Sequence, residues 1–104
     1  MFRQPEPSEP RLSLKLPCTL NLPVRDLAAT TVNVSYGGLG IELPEGAPVF
    51  DRKELLTVTV DGIGVLQVDI LWWRGSRLGL KFRSKRSARP ALDAYFRKLG
   101  EYPT

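Results

Sequence analysis

A repeat of two residues between apolar side chains is the feature that most restricts the fold of this chain. From Ser13 to Val24, in SLKLPCTLNLPV, apolar residues alternate with polar residues and prolines. Such alternation is typical of a strand with one face on a core, because successive side chains point to opposite faces. Cys18 falls on the apolar parity and is predicted to be a core residue. Pro17 and Pro23 each lack a backbone donor, which predicts an edge strand or an interruption at one of them.

Five further stretches predict strands of the same kind. They are ATTVNV, GLGIEL, ELLTVTV, IGVLQVDILWW and LGLKF. Their β-branched and aromatic residues favour extended backbone, and their alternation places one set of side chains on the core. In four of these stretches the residues predicted to face the core are Leu39, Ile41, Leu43, Leu56, Val58, Val60, Leu66, Val68, Ile70, Trp72, Leu78, Leu80 and Phe82. Asp61-Gly62 predicts a type I′ hairpin, because both central residues of that turn need positive φ.

The apolar spacing changes to three and four only after Phe82. The residues of PALDAYFRKLG on this spacing are Leu92, Tyr95, Phe96 and Leu99. Pro90 suits a first helical turn and Gly100 suits the position after the last, so one helix is predicted over about residues 90–99. Six antiparallel strands and one helix predict an all-β fold with a C-terminal helix, a small closed or split six-stranded barrel capped by that helix.

Length and composition indicate one domain with a single core. The chain has 104 residues, of which 42% are hydrophobic, enough for one compact domain and too few for two. We expect the domain to span residues 11–104 and the proline-rich start, residues 1–10, to form a flexible arm. The start has no signal-peptide pattern and no stretch is long enough to insert in a bilayer, so a cytoplasmic location is the default.

Catalysis and metal binding lack the residues that they need. The chain has no histidine and one cysteine, which excludes a structural zinc site, a disulfide framework and every His-dependent triad. The carboxylates Asp51, Glu54, Asp61 and Asp69 scatter along strands and turns, and no nucleophile has a base beside it. We therefore predict a protein that is not an enzyme and that holds no metal or cofactor.

Basic residues concentrate in the last third of the chain. Residues 74–98 contain nine basic side chains and a single acidic one. This balance favours an anionic partner, unless RSKRSAR is only a solvated linker. One of the adjacent Trp72 and Trp73 must face outward, where it can stack on a base or cover the barrel rim. One hypothesis is a barrel that binds single-stranded nucleic acid through this half, with Trp72 or Trp73 and Tyr95 as stacking platforms.

The stretch NVSYGGLGIEL places a polar pair and three glycines between the second and third predicted strands. Asn33 and Ser35 lie two residues apart, and Gly37, Gly38 and Gly40 follow. Several glycines together indicate either left-handed backbone or a backbone that something approaches closely. In a purely structural role, Asn33 and Ser35 would cap the turn through hydrogen bonds to the backbone.

Five residues resemble the pattern of the PilZ family of cyclic di-GMP receptors. That pattern is an Arg-x-x-x-Arg arm followed by Asp/Asn-x-Ser-x-x-Gly. Arg11 and Lys15 lie at the start of the first strand, and Asn33, Ser35 and Gly38 match the second part in full. WWRGSRLGLKF is similar to the family's penultimate hairpin, so the resemblance covers most of the chain.

The resemblance implies a bacterial regulatory domain that binds cyclic di-GMP. Arg11 would grip guanine or phosphate, Asn33 would pair with the guanine edge, Ser35 would add a hydrogen bond, and Gly38 would let the backbone come close. The partner would be another protein or the rest of a longer polypeptide, such as a polysaccharide synthase or a motility component, and nucleic acid would not be a partner.

Lys15 departs from the family pattern, which has a second arginine there. Lysine keeps the charge but cannot make a bidentate contact to guanine. The loss of one such contact costs about 1–3 kcal/mol, or roughly 10- to 100-fold in affinity. We therefore predict weakened binding, and the alternative is a degenerate PilZ domain that serves as a protein-interaction module without nucleotide binding.

Overall fold

The strands of the computed structural model, which describes residues 9–104, close into a barrel. The elements are β1 (Leu12–Ser13), β2 (Pro17–Asn21), β3 (Asp26–Val34), β4 (Gly38–Glu42), β5 (Thr57–Val60), β6 (Gly64–Arg74), β7 (Arg77–Phe82) and helix α1 (Lys85–Leu99). Strands β3, β2, β5, β6, β7 and β4 pair in that order, all antiparallel, and the pairing of β3 with β4 closes the ring. The predicted six-stranded barrel with a C-terminal helix is confirmed. Most of the predicted arm, residues 1–10, lies outside the described residues.

The first predicted strand is interrupted, in agreement with its prolines. Strands β1 and β2 pair with opposite ends of β3, and β2 begins at Pro17. The buried hydroxyl of Thr31 bridges the gap between them. It donates to the carbonyl oxygen of Leu14 at 2.5 Å and accepts from the N–H of Leu16 at 2.8 Å. The side chain thus supplies backbone hydrogen bonds where the regular ladder is missing.

The core fills the barrel and continues under α1. The helix contributes Ala88, Leu92 and Phe96, and the last two have no exposed surface. Cys18 is buried, which confirms its predicted place in the core. Burial raises the pKa of the Cys18 thiol to about 11, because the thiolate would lose its hydration.

A bulge in β6 reverses the predicted directions of the two tryptophans. The β6–β7 register shifts between Ile70 and Trp72, so Leu71 is the extra residue. Trp72 then lies opposite Gly79 on the outer face, and Trp73 packs against the core. The alternation that put Trp72 on the same parity as Leu66, Val68 and Ile70 therefore fails after Leu71, and Trp72 is the tryptophan that faces outward.

Two other residues that were assigned to the core parity are exposed. Val24 lies in the turn between β2 and β3 and is 90% exposed. Leu56 precedes the first paired residue of β5 and is 51% exposed, while Leu55 is buried instead. Both errors arise because the alternation was extended past the end of the paired strand.

The β5–β6 hairpin is present, but its turn is not type I′. The N–H of Ile63 donates to the carbonyl oxygen of Val60 at 3.0 Å across the loop. Gly62 has a φ of 84°, whereas no non-glycine residue of the described range, Asp61 included, has a positive φ. A type I′ turn needs positive φ at both central residues.

Helix α1 begins earlier than predicted. Ser84 is its N-cap, with a side chain that accepts from the N–H of Ser87 at 3.1 Å. Gly100 ends the helix in the left-handed conformation, with a φ of 82°. Pro90, which was assigned to the first turn, lies inside the helix. The interpretation of RSKRSAR as a solvated linker was therefore wrong from Lys85 onward, because those residues belong to the helix.

Pro90→Ala is expected to stabilise the protein. Proline lacks the N–H that would donate to the carbonyl of Arg86, and its ring crowds that carbonyl. We expect the free energy of unfolding to rise by about 1–3 kcal/mol, measured by urea denaturation. Pro103→Ala, beyond the helix, is the control and should change little. A loss of stability in Pro90→Ala would contradict this account.

Gly38→Ala is expected to destabilise the barrel where β4 meets β7. A Cβ at Gly38 would lie 2.0 Å from the carbonyl oxygen of Leu80, a backbone atom that cannot move freely. We expect a loss of about 3 kcal/mol in the free energy of unfolding. Gly37→Ala is the matched control, because its Cβ would meet only the side chains of Glu9 and Lys85. Equal losses in the two variants would show that the contact with Leu80 is unimportant.

Candidate ligand-binding site

Arg11 and Asn33 meet on the surface of the barrel. The Nη1 atom of Arg11 donates to Oδ1 of Asn33 at 2.6 Å. Strand β1 brings them together, since Ser13 pairs with Asn33 and Arg11 comes just before the strand. Arg11 is exposed and Asn33 is half-buried, so a ligand can reach both polar groups.

A bulge in β3 sets the direction of the Asn33 side chain. The β3–β4 register shifts between Thr31 and Asn33, with Val32 as the extra residue, and Asn33 then lies opposite Gly40. A Cβ at Gly40 would lie 3.0 Å from Oδ1 of Asn33. The absence of a side chain at Gly40 therefore leaves room for the amide, a role that the sequence did not indicate.

Arg11 and Asn33 line a groove of about 290 Å³ on the outer face of the barrel. Trp72 and Arg77 line the same groove from β6 and β7. The Trp72 ring lies over Gly79, where a Cβ would stand 2.2 Å from the indole Nε1. A flat aromatic surface, a guanidinium and an amide within one groove are the groups that recognise a purine nucleotide. Sequence reasoning left Trp72 and Arg77 out of the site, since the bulge that turns Trp72 outward is not visible in the pattern.

Glu42 partly neutralises the charge at the β7 side of the groove. Its Oε1 accepts from Nε of Arg77 at 2.6 Å, and Ser76 donates to its other oxygen. The hydrogen bond from Ser76, followed by that from Arg77, holds the pKa of Glu42 below its ordinary value. Arg11, in contrast, has no carboxylate partner among residues 9–104. The positive charge of Arg11 is therefore less neutralised than that of Arg77.

Ser35 and Gly38 form the β3–β4 turn and do not line the groove. The buried Ser35 hydroxyl accepts from the N–H groups of Gly37 at 3.2 Å and Gly38 at 3.1 Å. It also donates to the carbonyl oxygen of Gly38 at 3.2 Å. Gly37, Gly38 and Gly40 all lack a positive φ, so close packing rather than left-handed backbone accounts for them.

Lys15 lies apart from the other candidate residues. It is exposed between β1 and β2 and makes no hydrogen bond or ion pair with the described part of the chain. Its exposed side chain shares the outward parity of Arg11 and Ser13. The structure thus brings Arg11 and Asn33 together and leaves Lys15 outside their groove.

Two of the three predicted stacking platforms for nucleic acid are half-buried against the core. The ring of Trp73 lies against Phe50, with centroids 4.7 Å apart, and Tyr95 packs at 6.2 Å from Phe96. Of these three side chains, only Trp72 is exposed. A continuous stacking surface for single-stranded nucleic acid is therefore missing from residues 9–104.

Gly79→Ala is expected to displace the Trp72 ring from the groove while the barrel stays folded. The added Cβ meets the ring, which can tilt toward solvent. In a Trp73→Phe background, we expect the fluorescence of Trp72 to become more accessible to acrylamide. Val65→Ala changes an exposed side chain at the other end of β6 and is the control for a substitution in this strand that does not touch the ring. Unchanged quenching would show that the ring does not rest on Gly79.

Neither a metal site nor a membrane-spanning helix is found in the described range. Residues 9–104 contain no group of three or more His, Cys, Asp and Glu side chains placed to bind a metal ion. They also contain no helix that is both long and apolar enough to cross a membrane.

Comparisons with known proteins agree with the resemblance seen in the sequence. The family model for the PilZ domain matches residues 6–97. The crystal structure of YcgR in complex with c-di-GMP from Escherichia coli matches with a TM-score of 0.63 and 17% identity. The match covers 91% of this chain and 48% of that one, so this chain spans about half the length of that protein and shares its fold there. No curated protein matches the sequence. Because the family model covers most of its length, this chain belongs to the PilZ domain family.

Proposed function

We propose that this chain is a cyclic di-GMP receptor domain whose ligand binds in the groove of Arg11, Asn33 and Trp72. The observation that carries the proposal is the 2.6 Å contact between Arg11 and Asn33 beside the partly exposed ring of Trp72. The Arg74 guanidinium lies 5.6 Å from the centre of that ring and would have to move aside, or add a cation to the site, when a base stacks there. Family membership and the fold shared with YcgR, which was solved with c-di-GMP, add independent support.

The groups in the groove suit the chemistry of the ligand. Cyclic di-GMP carries two phosphates and two guanines, so it needs cations, donors for guanine N7 and O6, and acceptors for the N1 and N2 donors. Arg11 supplies a planar cation with several donors, and the Asn33 amide supplies one donor group and one acceptor. Trp72 offers a surface for one guanine, a contact worth about 1–3 kcal/mol per base.

Ligand binding requires Arg11 and Asn33 to exchange their mutual contact for contacts with the nucleotide. A hydrogen bond with one charged partner contributes about 1.5–3 kcal/mol, so the exchange is favourable if the nucleotide makes charge-assisted contacts with both groups in its place. Strand β1 has only two residues, so few backbone hydrogen bonds fix the segment that carries Arg11. This segment can therefore move when a ligand binds. The signal would then be a rearrangement of the arm and of the surface that it covers.

The remaining candidate residues have different roles in this proposal. Ser35 and Gly38 act indirectly, because they fix the turn that follows Asn33. Lys15 lies outside the groove in this structure; once the segment that carries Arg11 has moved, Lys15 would supply a second positive charge for phosphate, without the planar fork of the family's arginine. The domain would act as a regulatory module on a protein partner or on the rest of a longer polypeptide, such as a polysaccharide synthase or a motility component, and would not be an enzyme.

Calorimetric titration with cyclic di-GMP tests the proposal. We expect the parent chain to bind, and Arg11→Ala, Asn33→Ala and Trp72→Ala each to lose roughly 10- to 100-fold in affinity. Lys15→Arg should gain affinity by a similar factor, because it restores a bidentate donor. Arg25→Ala is the matched control, since Arg25 lies just before the first residue of β3 and far along the strand from Asn33.

The variants also separate the alternatives. Binding by Lys15→Arg alone would mean that Lys15 has abolished the receptor function in the parent chain. No heat from the parent or from Lys15→Arg would overturn the proposal and favour a PilZ domain that acts only through protein contacts. Equal losses in Arg25→Ala and Arg11→Ala would indicate nonspecific attraction of the dianion.

A further inference from the structure

A second groove, of about 410 Å³, lies along the side of α1. It is lined by Lys85, Arg86, Arg89, Pro90 and Asp93, and it shares no residue with the groove of Arg11 and Trp72. Three cations therefore surround a floor that includes an exposed proline ring. We call it the helix groove.

The stability of the helix does not account for these residues. Lys85 and Arg86 lie in the first turn of α1, which contains no acidic residue. Positive charge at a helix N-terminus is unfavourable, because the helix dipole is positive there. Pro90 removes a hydrogen bond from the same segment. Local features that oppose stability are expected mainly where a surface has another purpose.

An acidic side chain already pairs with Lys85, one of the residues that line the helix groove. Oε2 of Glu9 lies 2.9 Å from Nζ of Lys85, and its Oε1 rests against Gly37. The Lys85 and Glu9 side chains remain 65% and 41% exposed. Exposed ion pairs of this kind are weak, so another carboxylate can displace Glu9.

At the other end of the groove, contacts with neighbouring side chains fix the position of the Arg89 guanidinium. The Arg89 guanidinium stacks on the Tyr36 ring at 3.9 Å, and its Nε lies 3.4 Å from Oδ2 of Asp93. The Tyr36 hydroxyl donates to Asp93 at 2.7 Å, a bond that raises the pKa of the phenol. A cation already held by neighbours loses less freedom when a partner binds. Arg86, between these ends, has no carboxylate partner within residues 9–104.

We propose that the helix groove binds an acidic polypeptide segment of a partner protein. Carboxylates of that segment would contact Arg86 and Arg89 and would replace Glu9 at Lys85, while its backbone packs on Pro90. Charge complementarity supports this occupant, since the arm already places one carboxylate there. Among residues 9–104, neither an aromatic ring for a base to stack on nor a large apolar side chain for insertion into a membrane lines the groove.

Fluorescence anisotropy with a labelled peptide of alternating glutamate and alanine tests the proposal. At low salt we expect binding that weakens as salt is added. Lys85→Ala and Arg86→Ala should each weaken binding about 2- to 5-fold, the range expected for exposed ion pairs. Glu9→Gln should strengthen binding by a similar factor, because it frees Lys85. The two ends of one ion pair thus have opposite effects, which a purely structural role would not produce.

Arg97→Ala is the matched control, since it removes an equal charge from α1 outside the groove. Circular dichroism of each variant checks that the helix is intact. The proposal is overturned if the peptide does not bind at low salt, if Arg97→Ala weakens binding as much as Arg86→Ala, or if Glu9→Gln weakens it. It is also overturned if single-stranded DNA or phosphatidylserine vesicles bind more tightly than the peptide and depend on Lys85 and Arg86.

Discussion

The pairing of β3 with three other strands is the interaction on which the rest of the structure depends. Its first part pairs with β2, its end pairs with β1, and its second part pairs with β4, which closes the ring. Closure removes the exposed sheet edges that an open six-stranded sheet would have. The hydroxyl of Thr31 keeps this arrangement continuous where the first strand is interrupted. Both grooves take their positions from this closed ring.

The β3–β4 turn joins the groove of Arg11 and Trp72 to the helix groove. Asn33, in the first groove, comes two residues before Ser35, whose hydroxyl closes the turn. The next residue, Tyr36, reaches α1 through its hydrogen bond to Asp93. The segment before β1 makes a second connection between the two grooves, because Glu9 contacts Lys85 and Arg11, two residues later, contacts Asn33. The two surfaces are therefore separated by only a few residues of chain.

The sequence predicted the strands, but not the exact directions of some side chains. Alternation is a reliable signal while every residue of a strand is paired. It failed at Leu71, because an extra residue reverses the parity after it, and at Leu56, because pairing had not yet begun. The helix start was missed because Pro90 was read as a boundary, although Ala88, Leu92 and Phe96 follow one spacing of four residues.

The sequence by itself determined the fold class, the buried position of Cys18 and the family pattern, since these depend on the order of residue types along the chain. Only the tertiary structure decided that Trp72 lies beside Arg11 and Asn33, that Ser35 is enclosed in its turn, and that Glu9 lies on Lys85. Each of these contacts joins elements far apart in the chain or depends on a bulge. Their geometry follows from how the closed barrel aligns its strands, and no local pattern of residues contains that information.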